Sequence, residues 1–164
     1  IGAIKTSGVD FAADYVQPIG RFGDLEFNLV GTYLDSWRWQ ELPGQVPFEC
    51  AGSYLNGPCF RPRPELATNL RTTWATPWDA SISLLWRYMS DITDESEFDY
   101  PLPSTDYFDL AGTWNVTDSI SLRLGINNLM DEDPPLATCC GGNTVAGVYD
   151  ALGRYWFAGM NVRL

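Results

Sequence analysis

The chain of 164 residues has no histidine, a single lysine (Lys5) and a formal charge of −11. Each shortage removes a class of function. Without histidine there is no imidazole to act as a base near neutral pH or to complete a Cys/His zinc site. An acidic chain this poor in lysine is a bad match for nucleic acid, whose binding is dominated by Lys and Arg neutralising phosphates. No apolar run reaches the roughly 18 residues that a membrane-spanning helix requires. No G-x-S-x-G elbow appears, and no phosphate-cradling glycine loop follows a strand. Paired carboxylates fall only in expected loops, where nothing sets up the split pKa values of acid–base catalysis. These absences argue against an enzyme, and nothing in the sequence asks for a cofactor. The chain opens on IGAIKTSG, without an initiator Met or a basic-then-apolar leader, and its start therefore reads as removed by processing or truncation.

What is present is aromatic: seven Trp, eight Tyr and eight Phe, a content foreign to disordered acidic segments. The dominant period is two. In ASISLLWRYMS, Ile82, Leu84, Trp86 and Tyr88 share one face while Ser81, Ser83, Leu85 and Arg87 share the other. DSISLRLGINN sets Ile120, Leu122, Leu124 and Ile126 against Ser119, Ser121, Arg123, Gly125 and Asn127. DYFDLAGTWNV and PELATNLRTTW alternate in the same way, and DLEFNLVGTYL and GVDFAADYV less cleanly. In GRYWFAGMNVRL the apolar stripe of Trp156, Ala158, Met160, Val162 and Leu164 runs to the last residue. The expectation is seven antiparallel strands, centred near residues 12, 30, 70, 85, 110, 123 and 158, and no helix beyond two turns.

The connections alternate in length. PIGRFG, TPWD and the TDS after Val116 are tight turns, whereas roughly 39–63, 91–105 and 129–148 are long loops. Short turns at one end and long loops at the other, with strands of about 9–11 residues, are the plan of a transmembrane β-barrel. A wet lumen suits the Ser, Thr, Asn and single arginines (Arg71, Arg87, Arg123) of the polar face. Trp74, Trp78 and Trp114 fall near the short turns, where an aromatic girdle would lie. Two other architectures share the alternation: a small structural or porin-like barrel, and a soluble lipocalin-like binding barrel.

The most specific residues lie late. INNLMDEDPPL followed by NTVAGVYDALGRYWFAGMNVRL resembles the C-terminal end of a TonB-dependent outer-membrane receptor. The matching pieces are Asn128-Leu129, Asp131, Asp133, Pro134, Pro135, Tyr149-Asp150 and Gly153-Arg154, and IKTSGVDFAADY upstream resembles a strand start of the same barrels. The resemblance implies an all-β fold: an antiparallel transmembrane β-barrel segment that forms the C-terminal third of a 22-stranded barrel with a plugged lumen. Residues 1–164 would then be the C-terminal portion of that barrel, with the plug and earlier strands outside this sequence. It also implies a place in the outer membrane of a Gram-negative bacterium, with lipid around the apolar face. Energy would come from the TonB complex through the missing plug, and a scarce small-molecule nutrient (siderophore, vitamin or oligosaccharide class) would be the ligand. Gly159, Val162 and Leu164 resemble the terminal signal read by the barrel-assembly machinery, although Phe157 stands where a polar residue is usual.

Several loop residues invite a role. Cys50 and Cys59 in CAGSYLNGPC are expected to form a disulfide within an external loop; closing so small a loop contributes about 2.5–3 kcal/mol in the chain-entropy model. Cys139 and Cys140 are adjacent, which leaves open a strained mutual bridge or pairing with another loop. The acidic run DITDESEFDYPLPSTD reads as a solvated loop rather than an ordered calcium cage, and Asp131-Glu132-Asp133 as a turn stiffened by Pro134 and Pro135. Tyr54, Asn56, Phe60, Tyr100 and Tyr107 are the candidate ligand contacts of the loops.

Overall fold

The structure is a computed structural model that describes residues 2–54, 59–95, 100–137 and 143–163. Its strands are β1 (Ala3–Pro18), β2 (Asp24–Gln40), β3 (Phe48–Glu49), β4 (Ser53–Tyr54), β5 (Leu66–Ala75), β6 (Ala80–Met89), β7 (Thr93–Asp94), β8 (Thr105–Thr117), β9 (Ile120–Asn127) and β10 (Tyr155–Val162). No α-helix occurs among the described residues; one 3-10 turn, Gly20–Phe22, joins β1 to β2. The seven long strands run β1-β2-β5-β6-β8-β9-β10, each antiparallel to its neighbour. They lie where the period-two pattern places them. The short pairs β3, β4 and β7 inside the loops have no such period and were not foreseen.

Residues directly opposite in an antiparallel pair share a face, so the register shows whether seven separate stripes form one surface. They do. Tyr15 meets Phe27, Leu29 meets Leu70, and Leu70 meets Trp86. Trp86 continues to Phe108, while Leu110 opposes Ile126, and Ile126 opposes Trp156. The opposite face carries Asp14 beside Asn28 beside Arg71, and Ser83 beside Ala111 beside Gly125. The apolar face is uncovered: Trp156 is 75% exposed, Met160 69% and Leu124 63%. A contiguous apolar surface across a whole sheet is unstable in water and matched to lipid.

β2 carries a bulge just beyond DLEFNLVGTYL. Gly8 pairs with Leu34 but Ser7 pairs with Ser36, so Asp35 is an extra residue in β2. The bulge shifts parity, and Trp37 and Trp39 then face with Thr6 and Ile4.

Aromatic belts mark both ends of the apolar band. At the short-turn end the Trp74 indole N–H donates to the Phe22 carbonyl at 2.8 Å, Trp78 meets Trp74 edge-on at 6.2 Å, and Trp114 is exposed. At the long-loop end lie Tyr33, Trp86, Tyr88 and Trp156 on the same face, a second belt not anticipated from the sequence. From the Leu25–Trp74 level to the Tyr33–Leu66 level the strand travels about 27 Å, which at the roughly 35–45° tilt of such barrels rises about 19–22 Å, somewhat less than the roughly 25 Å of an outer-membrane apolar band.

The sheet is open, with β1 and β10 as its two edges. Phe157 packs its ring over Gly125, where an added Cβ would collide with it, and Arg123 lies 5.1 Å from the ring centroid. The departure from a polar residue at Phe157 is thus absorbed by a glycine on the neighbouring strand.

Candidate functional site

Among the described residues, buried side chains gather at the long-loop end, with Thr105 and Tyr107 at the top of β8 the sheet's own contribution. Tyr54, Ile92, Leu102, Tyr107, Ala137 and Tyr149 form one cluster, with Met89, Val145 and Val148 packed against it. All three long connections contribute, together with the tops of β6 and β8. Burial of large apolar side chains is worth about 1.5–3 kcal/mol each, so these loops have a core of their own.

Backbone pairing knits the loops. β4 pairs with β7 in parallel, Ser53 with Thr93 and Tyr54 with Asp94, and Ile92 bridges Leu102. Cys50 and Cys59 are joined in a disulfide with both residues fully buried. The loop it closes carries Tyr54, whose hydroxyl lies 2.9 Å from the Tyr100 carbonyl and 3.3 Å from Asp94 Oδ2. Asp94 Oδ2 also accepts from the Tyr100 N–H at 2.9 Å. Burial, and then the Asp94 carboxylate, push the Tyr54 phenol up to about 12. Burial also lifts Tyr149 to about 12, with Tyr107 and Tyr54 adding to it. The hydroxyls of Thr105, Thr144 and Tyr149 are buried without a hydrogen-bond partner among the described residues.

The first long loop returns onto β2 through Glu49. Its carboxylate accepts from the N–H groups of Trp37 (2.6 Å) and Ala51 (3.2 Å) and from the Arg38 guanidinium (3.1 Å). Burial alone would raise its pKa; the two amides and Arg38 outweigh that and hold it below the usual range. Arg63 stacks at 3.7 Å over the Trp37 ring.

The last loop is fastened at its base and near its end. Asn128 is fully buried with φ +52°; its side-chain amide donates to the Glu132 carbonyl at 2.8 Å and its Oδ1 accepts the Glu132 N–H at 2.9 Å. Asp131 accepts from the Arg154 N–H at 2.8 Å, and its carboxylate sits 3.4 Å from the Arg154 guanidinium. The Asn-Leu-x-Asp and Gly-Arg pieces singled out in the sequence are therefore the two halves of one clasp, and Asp131 is engaged in it. Further along, Asp150 meets Arg87 of β6, which is also held by Asp109 of β8. Sequence reasoning assigned Arg87 to the polar face but missed these partners; the Tyr149-Asp150 pair was the one available signal.

Below the loop core the polar face is hollowed into a cavity of about 590 Å³, lined among others by Asp10, Thr32, Asn69, Arg87, Tyr107 and Val148. Of the candidate ligand contacts, Tyr54 (0% exposed) and Tyr107 (1%) are interior to the loop core, and Tyr107 also lines the cavity. Phe60 (71%) and Tyr100 (50%) stand exposed on the loops. Gly159 and Val162 lie on β10, where nothing crowds Gly159. Asn56, Cys139, Cys140 and Leu164 lie outside the described residues.

A family model described as TonB dependent receptor-like, beta-barrel, matches residues 1–129. That stretch covers β1 to β9 and stops before the last loop. No curated protein and no solved structure matches the chain.

Proposed function

The chain belongs to the TonB-dependent receptor family, as part of its β-barrel, and we propose on that premise that it takes up a scarce nutrient across the outer membrane with energy from the TonB complex. The family places it among outer-membrane receptors and transporters in general; siderophores, vitamins and oligosaccharides are the ligand classes to test. The observation that supports capture over passive flow is the loop core. A porin needs a clear mouth, whereas here the three long loops pack into a core of their own beside an open hollow of about 590 Å³ on the polar face, to which the last loop contributes Val148. Tyr107 on the cavity wall, with Phe60 and Tyr100 on the loops, are the proposed contacts.

The open edges support a further part of the proposal. Lipid cannot satisfy the bare N–H and C=O groups of β1 and β10, so the seven strands are the C-terminal portion of a larger closed barrel whose plug provides the TonB contact. Gly159, Val162 and Leu164 then present the signal to the assembly machinery of a Gram-negative cell.

Uptake assays test the reading directly. Cells expressing the complete receptor should accumulate one labelled nutrient from a panel of iron–siderophore, cobalamin and oligosaccharide. Accumulation should vanish when the TonB complex is deleted and fall when Tyr107 is changed to Ala. Uptake that persists without the TonB complex would favour the porin-like alternative.

A further inference from the structure

The two ends of the last loop and its Asp150 are held by different devices. The base is tied by the Asp131–Arg154 clasp and by Asn128 on Glu132. Gly153 (φ +66°) and Asp131 (φ +59°) occupy the left-handed region there. Beyond the base, 143–150 is held by the Ala137 N–H donating to the Asn143 carbonyl at 2.8 Å, by the packing of Val145, Val148 and Tyr149, and by Asp150 on Arg87.

Arg87 carries two carboxylates on one guanidinium. Asp109 takes Nε at 2.9 Å and Nη2 at 3.2 Å, and it is itself fixed by the Asn128 N–H at 2.9 Å. Asp150 takes Nη1 at 3.1 Å and Nη2 at 2.5 Å; among the described residues its carboxylate has no other partner. A single positive charge is balanced by Asp109 alone, so Asp150 is bound against the like charge of its neighbour. The three side chains remain 17–28% exposed, and Arg87 forms part of the cavity wall. The guanidinium edge held by Asp150 is a planar fork that suits any carboxylate or phosphate oxygen pair.

We propose that Asp150 is a displaceable internal ligand: an oxyanion group of a molecule entering the cavity takes its place on Arg87 and releases 143–150. The clasp at Asp131 and Arg154 keeps the freed segment attached. Asp10 on the same cavity disfavours a second negative charge, so the fitting group is a monoanion. This rests on reading the cavity as the binding site. Competition then lowers the apparent affinity by the fraction of molecules whose Arg87 is free, and removing the competitor restores it.

The test uses the complete receptor in detergent, with gluconate and, at a mildly acidic pH that keeps it singly charged, dihydrogen phosphate as probes and chloride at matched ionic strength as the control. Binding is followed by calorimetry, and protease cuts within 143–150 are mapped by mass spectrometry. Heat-modifiable migration on a gel confirms that each variant holds a folded barrel. Asp150→Asn and Asp150→Ala should bind the better probe about tenfold or more tightly than the unaltered protein, and should expose 143–150 without any anion. In the unaltered protein the anion should induce that exposure, and Arg87→Gln should lose binding. Equal affinity with and without Asp150, an anion that protects 143–150, or no binding to either Asp150 variant overturns the proposal. Uptake dependent on the TonB complex would still stand in that case, which separates this failure from failure of the receptor assignment.

Discussion

The sheet and the loop core solve the problem of stability in opposite ways. Along the five inner strands most backbone groups find a ladder partner, yet hardly a side chain is buried. In the loops the regular pairing shrinks to two-residue strands and single bridges, yet Tyr54, Ile92 and Leu102 are almost fully enclosed, together with Tyr107 at the top of β8. The sheet's apolar face depends on a solvent outside the chain. The loops depend on one another. Perturbations should therefore sort by region: lipid-facing changes should damage the barrel, and core or redox changes the loops.

The largest loop effect is expected at Tyr54, whose ring lies at the centre of the cluster and whose hydroxyl reaches the second loop. Truncating a buried aromatic residue costs about 3–5 kcal/mol. Tyr54→Ala should therefore speed hydrogen exchange of the described loop amides by orders of magnitude while the strands of the sheet keep their protection. Loss of protection in both regions together would mean that they are one cooperative unit.

The converse change is a charge on the apolar face. Leu84 sits opposite Thr72 and Leu110, within the apolar band. Leu84→Arg should cost about 2–4 kcal/mol, the penalty for a cation near the bilayer midplane, whereas polar-face substitutions are tolerated. Ser121→Arg, beside Asn115 and Asn161 on the polar face, is the matched control. Urea midpoints of folding into liposomes measure the pair, and equal losses would contradict the assignment of faces.

How legible each region was follows from the same contrast. Strand alternation is a local property, so Leu122 and Arg123 declare opposite faces without knowledge of any partner. The bulge at Asp35 was not visible in the sequence, because register belongs to two strands at once. Loop contacts have no period and span large separations: Tyr54 to Asp94 crosses 40 positions and Arg87 to Asp150 crosses 63. An aromatic residue in a polar loop reads equally well as a ligand contact or as a core residue. Phe60 remains exposed, while Tyr54 and Tyr107 are enclosed, and only tertiary packing separates them.

Reduction sharpens the comparison at a smaller scale. The Cys50–Cys59 bridge lies wholly within one loop, so its loss should remove about 2.5–3 kcal/mol by the chain-entropy relation, and from the loop core alone. Replacing both cysteines by serine should increase proteolysis around residues 48–54 and leave the urea midpoint of the barrel unchanged. A lowered barrel midpoint would show that the loop brace extends into the sheet.

The smallest effects come from pH, and their signs differ. Tyr54 and Tyr149 have phenols raised from 10.0 to about 12 by burial. Their contribution is complete below pH 10, the unfolded value, and is lost as pH rises through about 12. Tyrosinate absorbance should show the Tyr54 and Tyr149 phenols titrating late, with loop protection fading over that interval; Tyr54→Phe should remove one late-titrating phenol. Glu49 works in the other direction. Its pKa is held below 4.5 because the Trp37 and Ala51 amides and Arg38 outweigh burial. The stabilisation is thus present above pH 4.5 and disappears as pH falls through the lowered folded value. The carboxylate is 43% exposed and Arg38 is 61% exposed, so water screens the pair and the loss should be slight. Exchange at the Trp37 and Ala51 amides, followed from neutral pH down past 4.5, should rise beyond the intrinsic trend in the unaltered chain. In Glu49→Gln it should follow that trend throughout, because the glutamine carries no charge to lose. An acid-dependent rise that survives in Glu49→Gln would place its origin elsewhere in the loop core.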